Sequence, residues 1–285
     1  MSTIRLTKDS SQPMMKQPYF DSAAQRVPAL EELREVKNYH YLLAQLTRRD
    51  ILARYKRSVL GVTWTMLNPL GIMLVMTIVF SQLFKSVESY PAYILSGLIA
   101  WNFFSQGTNA AMVGVAWGGS LIQRIYLPRT SFAISAVLTA LVNLMLSIVP
   151  LLVVMLITRT QITWAIFFLP ISILILTGFT LGIGLILSTI AVYFPDVTEM
   201  YQIVLTAWMY LTPIIYPESI IPERFVTLFH LNPMYQLIQL FRLSVYEGIV
   251  PTFEEILPSL IISIITLMAG WILFTSKSEE FAYRI

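Results

Sequence analysis

Seven stretches of this 285-residue chain hold no Asp, Glu, Lys or Arg: 58–84, 89–123, 130–158, 160–195, 200–217, 225–241 and 256–276. About 20 apolar residues of helix cross a bilayer core, and most of these stretches reach that length. Charged residues make up 12% of the chain and hydrophobic ones 56%, whereas soluble domains carry about 25% charge. The length would allow a soluble core; the placement of charge points instead to an all-α, multi-pass membrane protein.

Six spans are expected, at about 62–84, 91–113, 132–157, 163–190, 199–216 and 256–275. The run 225–241 carries His230 and Asn232-Pro233 in its middle and follows Pro213, Pro217 and Pro222. It reads as short re-entrant or interfacial helices before the last span, because non-helical backbone at membrane depth is tolerated where protein or water covers it. Residues 1–28 read as a flexible polar tail. Residues 29–61 read as a cytoplasmic amphipathic interface helix, with Leu33, Val36, Leu43 and Leu46 at helical spacing and Arg48, Arg49, Arg54, Lys56 and Arg57 among the apolar positions. Residues 62–285 form the membrane domain. No apolar h-region occurs in the first 60 residues, so no cleavable signal peptide is expected. With the N-terminus inside, 15 Lys and Arg fall on inner segments and 4 on outer ones, which favours cytoplasmic termini. Tyr90, Tyr93, Trp117, Trp164, Tyr193, Tyr216 and Trp271 lie near span ends, as interfacial anchors do.

The span cores contain no Asp, Glu, Lys, Arg or His. Proton relays and ion-coupled pumps need such groups, and membrane hydrolases or glycosyltransferases need carboxylates, metals or nucleophile–base pairs. Cysteine is absent and the only histidines are His40 and His230, which leaves no disulfide, zinc or histidine cluster. No glycine precedes a lysine, so there is no P-loop. No cofactor is expected in this chain, and an energy source would reside on another subunit.

The spans instead carry neutral polar stripes. Asn102, Gln106 and Asn109 share one helix face; Ser131, Ser135, Thr139, Asn143 and Ser147 recur every four residues. Such stripes serve either interhelical hydrogen bonding or the wall of a path for a polar, uncharged solute. Gly178, Gly182 and Gly184 form a small-residue pattern that favours close helix packing. Trp101, Phe103, Phe104, Trp208 and Tyr210 lie deep, where rings pack or stack on sugars. The inner loop 114–129 contains Gly118-Gly119-Ser120, then Leu121, Ile122, Arg124, Ile125 and Tyr126 before Pro128. It is either a connector or a short amphipathic helix that docks on a partner.

At these residues the chain resembles the permease subunit of type-2 ABC exporters, in the branch that exports O-antigen, capsule or teichoic acid polysaccharides. The matching pieces are Arg49 to Gly61 with Trp64, Asn68 and Pro69; Ser120-Leu121-Ile122 with Tyr126 to Arg129; Tyr193 to Val197; Leu211 to Pro217; and Leu231 to Met234. The resemblance implies a homodimer in the bacterial inner membrane with two copies of a separate ATPase that binds ATP and Mg. It implies a coupling helix over 119–126, through Ser120, Leu121, Ile122, Arg124 and Tyr126, with a second ATPase contact near Asp196. Trp64, Asn68, Trp101, Asn102, Gln106, Trp208 and Tyr210 become candidates for the channel wall, and Pro213, Pro217, Asn232 and Pro233 for a re-entrant exit. The substrate would be a lipid-linked polysaccharide, O-antigen first. Arg48, Arg49, Arg54, Lys56 and Arg57 would meet its phosphate headgroup or serve as positive-inside anchors; nucleic acid is not an expected partner. The alternatives are a type-2 ABC exporter of a drug or lipid and, from another class, a membrane glycosyltransferase or polymerase subunit.

Overall fold

A computed structural model describes residues 28–56, 60–61, 63–85, 87–116 and 128–284. The described residues form ten α-helices and no strand: α1 (Pro28–Asn38), α2 (His40–Tyr55), α3 (Thr63–Phe80), α4 (Tyr90–Ala116), α5 (Thr130–Ile157), α6 (Leu169–Tyr193), α7 (Val197–Tyr210), α8 (Glu223–His230), α9 (Pro233–Arg242) and α10 (Phe253–Arg284). Short 3-10 turns cover Trp164–Phe168 and Glu218–Ile220, and a π turn covers Leu243–Glu247. The tail up to residue 27, Arg57 and the residues expected to form a coupling helix, Ser120, Leu121, Ile122, Arg124 and Tyr126, lie outside the described residues.

Four segments are long and apolar enough to cross a bilayer: Thr63–Phe80, Trp164–Tyr193, Thr130–Ile157 and Phe253–Ser278. Helices also occupy the other two expected places. α4 has 27 residues, 17 of them buried. α7 has only 14 and stops at Tyr210, well before the expected end at 216. Pro213 lacks the N–H an added turn would use and disfavours helix in the residue before it. The last helix runs past 275 to Arg284, because its charged tail is still a good helix former.

The arrangement reverses a soluble protein's polarity. Outward faces are apolar: Ile78, Leu156, Leu174, Ile203 and Ile265 are all more than 60% exposed. Polar side chains such as Ser96, Thr108, Ser135, Thr180 and Ser188 are buried. Lipid offers no hydrophobic drive between helices, so small and hydroxyl residues mediate their packing. α6 and α10 show this most clearly. A Cβ on Gly182 would sit 2.6 Å from the backbone of Thr266 and Leu267, and one on Gly270 would run into the Gly182 carbonyl. Ser263 Oγ donates to Ile175 O across the same seam at 2.7 Å. We expect Gly182→Ala and Gly270→Ala each to cost about 1–3 kcal/mol by overpacking. Gly114→Ala, whose Cβ meets open space, should be neutral or slightly stabilising. Thermal unfolding of the three purified variants checks this; equal melting temperatures would refute the close crossing.

The N-terminal region differs from the expected amphipathic helix. It is two helices, α1 and α2, broken near Tyr39. Apolar side chains surround α2 instead of forming one stripe: Tyr41, Leu46 and Ile51 follow at five-residue steps around the helix, with Leu46 buried and Tyr41 exposed. α1 ties α5 to the last helix. Glu32 Oε1 accepts from the Thr130 backbone N–H and hydroxyl at 3.2 and 2.9 Å, and Trp271 Nε1 donates to Ala29 O at 3.0 Å.

Candidate functional site

The two polar stripes converge. Asn102 and Gln106 of α4, Asn143 and Ser147 of α5, and Trp64 and Asn68 of α3 surround a cavity of about 360 Å³. A second cavity of about 210 Å³ shares Gln106, Ala140 and Asn143 with the first. It extends past Ser135 and Thr139 to Arg49 and Asp50 of α2. Together they make one uncharged polar cleft with an ion pair at its α2 end, where Arg49 Nη2 lies 2.8 Å from Asp50 Oδ1.

Hydrogen bonding separates the two readings of the stripes. On α5 Ser135 and Thr139 bond within their own helix, to Phe132 O at 3.0 Å and Ser135 O at 2.8 Å, and Ser147 bonds to Asn143 O at 2.9 Å and lies 3.4 Å from Thr65 O of α3. These back-bonds spend the hydroxyl proton locally. The carboxamides of Asn68, Asn102 and Gln106 make no hydrogen bond among the described residues. Each offers two donors and an acceptor to the cleft. Asn109, from the same α4 stripe, is instead engaged: its Oδ1 accepts from Gln202 Nε2 of α7 at 2.7 Å.

The remaining channel candidates lie elsewhere. Trp101 is 4% exposed and packs against Phe104 and Trp208. Trp208 packs edge-on to Phe104 and donates through Nε1 to Asn232 Oδ1 at 2.8 Å. Tyr210 is exposed at the end of α7. Arg48 and Lys56 are exposed on α2 and just past its end, and Asp196 is exposed before α7, with no capping bond from its side chain.

A second constellation closes the other end of α4 and α7. The segment 211–217 is not helical, and Thr212 to Ile215 are buried, so its carbonyls need donors. Side chains supply them. Arg242 donates from Nη1 to Pro213 O at 2.6 Å and from Nη2 to Ile214 O at 2.9 Å. Tyr90 OH donates to Ile215 O at 2.8 Å and Tyr93 OH to Tyr216 O at 3.0 Å. Asn232 Nδ2 reaches Leu211 O and Thr212 Oγ1 at 3.1 and 2.9 Å, while its Oδ1 caps α9 at Met234 N. Pro233 occupies the first turn of α9, where its missing N–H costs nothing. Pro213 and Asn232 thus meet in one cage, and Pro217 leads into the turn at Glu218–Ile220. Tyr90 and Tyr93, expected as interfacial anchors, donate their hydroxyls to carbonyls of this cage.

The sequence reading missed Arg242. It is 2% exposed, stacks over the Tyr93 ring at 3.8 Å, and faces no carboxylate within ion-pair distance among the described residues. The available signal was a lone cation inside the otherwise uncharged run 233–246. Beyond the cage, Glu218 accepts from Tyr235 OH at 2.6 Å and pairs with His230 Nε2 at 2.9 Å. Burial pushes the Glu218 carboxyl up, but these two hydrogen bonds outweigh it and hold the group below its ordinary value.

Residues 41–246 match the ABC-2 type transporter family, a stretch that encloses the cleft and the cage. The O-antigen export system permease protein RfbA of Myxococcus xanthus is 32% identical over 256 residues, covering 89% of this chain and 98% of that protein. A permease of the same name from Klebsiella pneumoniae is 26% identical over 245 residues, 85% of this chain and 93% of the relative. The polysialic acid transport protein KpsM of Escherichia coli is 23% identical over 244 residues, 81% and 91% respectively. With the family match spanning well over half its length, on helices packed as a membrane protein packs them, this chain is a member of the ABC-2 type transporter family.

Proposed function

We propose that the chain is the permease subunit of an ATP-driven exporter that moves a lipid-linked polysaccharide, O-antigen first, outward across the bacterial inner membrane. The uncharged cleft carries this reading: three unengaged carboxamides beside Trp64 suit sugar hydroxyls, which need neutral donors and acceptors. The names of the relatives point the same way. A drug exporter would favour a greasier wall, and a polymerase would need carboxylates that the spans lack.

In this reading α4 and α7, extended by 211–216, complete six spans with both termini cytoplasmic. α8 and α9 are the re-entrant helices at the exit. Two copies pair, and the exposed apolar face of α7, with Met200, Ile203, Val204 and Tyr210, is available to the second copy. ATP and Mg bind to two partner ATPase subunits, which meet the loop at 119–126 and Asp196; this chain holds no cofactor.

Deleting the gene should abolish surface polysaccharide and leave the lipid-linked polymer at the inner face. The full chain should restore export only when an ABC ATPase able to hydrolyse ATP is present. Immunoblots of surface polymer and extraction of the lipid-linked pool check this. Sugar transfer by the purified chain without an ATPase would overturn the proposal in favour of an enzyme.

A further inference from the structure

At the ends of α4 and α5 farthest from α2 lies a third cavity, of about 750 Å³, larger than either part of the cleft. Three segments wall it: Glu88 and Ser89 before α4, Arg159 and Gln161 after α5, and Tyr246 and Glu247 at the end of the π turn. Contacts outside the cavity set these walls. Thr163 Oγ1 donates to Gly248 O, which ties the second segment to the third. Tyr246 packs edge-on against Tyr93 of the carbonyl cage, with ring centroids 5.6 Å apart. The cavity is thus formed in advance on a rigid base, as small-ligand sites usually are.

Its polar groups are mostly unspent. Glu88 and Arg159 form no ion pair, and neither they nor Gln161 make a side-chain hydrogen bond among the described residues. The Ser89 hydroxyl is shut off from water and has no partner. Glu247 is engaged through one oxygen, by Gln239 Nε2 at 3.1 Å. Carboxylates only accept, a guanidinium only donates, and an amide does both. A sugar meets this mixture with one kind of group, because each hydroxyl donates and accepts at once. Two carboxylates against one guanidinium repel phosphate, so a lipid anchor's headgroup does not suit this wall, and Arg159 opposes a basic ligand. We infer that the cavity is a sugar site, which takes hydroxyls of the polymer after they have crossed the membrane. The inference rests on the function proposed above, whose orientation puts 88–91 and 158–161 outside.

The chain has no cysteine, so a single introduced thiol reports on one place. Thr160→Cys puts it in the cavity wall, and Ile162→Cys puts it on the exposed surface beside the cavity. The full chain is expressed in host cells that make no polymer, and spheroplasts are treated with a membrane-impermeant maleimide. Both thiols should react. Short oligosaccharides cut by mild acid from the host's own surface polymer should slow the reaction at Thr160→Cys and leave that at Ile162→Cys unchanged. At ten times the half-protecting concentration the slowing should be about tenfold. Adding Glu88→Ala should raise the half-protecting concentration at least about tenfold, the worth of one hydrogen bond to a charged group. Arg159→Gly should raise it similarly while leaving the melting temperature equal or higher. Arg159 sits at φ 59°, the left-handed region that favours glycine, so a merely structural arginine would show no loss of protection.

Labelling of both thiols without protection of Thr160→Cys would overturn the inference and leave the permease assignment standing. So would protection that both variants retain in full, or equal protection by trilysine, which would mark a site for a basic peptide. Labelling of Ile162→Cys alone would overturn it as well, since the cavity would then be closed to solutes. If neither thiol reacts until the membrane is permeabilised, the orientation proposed above is wrong and the inference falls with it. The readout needs neither export nor ATP turnover, so failed genetic complementation with intact protection would strike the export function alone.

Discussion

Arg242→Met should be among the most destabilising single substitutions in the chain, at about 3 kcal/mol or more. The methionine can fill much of the space but donates nothing. Pro213 O and Ile214 O lose their guanidinium donors, and each buried unsatisfied acceptor costs about 1–3 kcal/mol. The stack on Tyr93 goes as well. Part of the loss is offset because a cation no longer has to be held out of water. Arg242→Lys should fall between the two, since one ammonium cannot reach both carbonyls with the planar fork that arginine offers. Gly97→Ala should weaken the same cage from the α4 side, because its Cβ would collide with Arg242 Nη2 and crowd Ile214. Melting temperatures of the detergent-purified variants should follow wild type, Lys, Met in descending order. A Met variant as stable as wild type would mean that the cage does not hold the 211–217 segment.

The sequence disclosed this cage only in pieces. The helices that carry it are visible because uncharged runs record, position by position, which residues can leave water. α5, expected at 132–157, forms at Thr130–Ile157, and α6, expected from 163, begins at Leu169 after a 3-10 turn. Gly178 and Gly182 announced a close crossing, but not that Gly270 of α10 would face them, because a small residue says nothing about its partner. The cage depends on pairs far apart in the chain. Tyr90 and Ile215 are 125 positions apart and Arg242 and Tyr93 are 149. No periodicity encodes which carbonyl a distant hydroxyl will satisfy. Tyr90 and Tyr93 look like anchors in sequence because a tyrosine near a span end serves either role with the same side chain. α2 misled for a related reason: leucines at helical spacing suggested one stripe, yet Tyr41, Leu46 and Ile51, each five positions on, point around the whole helix, so that it can touch α5 and an apolar exterior together.

The cleft yields the sharpest functional expectation. Asn102→Leu combined with Gln106→Leu should reduce export at least about tenfold while leaving folding nearly unchanged. Neither carboxamide makes a hydrogen bond among the described residues, so the change breaks no bond that holds α3, α4 and α5 together. What it removes is the means by which a sugar hydroxyl exchanges water for protein. Two such partnerships at about 1 kcal/mol each exceed the 1.4 kcal/mol that corresponds to tenfold. Ser135→Ala with Thr139→Ala gives the contrast. Those hydroxyls line the same cleft but bond back to Phe132 O and Ser135 O, so they offer the passing solute little, and export should stay within about twofold of wild type. The measurement is surface polymer per unit of membrane-inserted permease, with melting temperature read on the same preparations. If the amide pair exports normally, or if the hydroxyl pair fails as badly, the cleft is helix packing and the polymer takes another route.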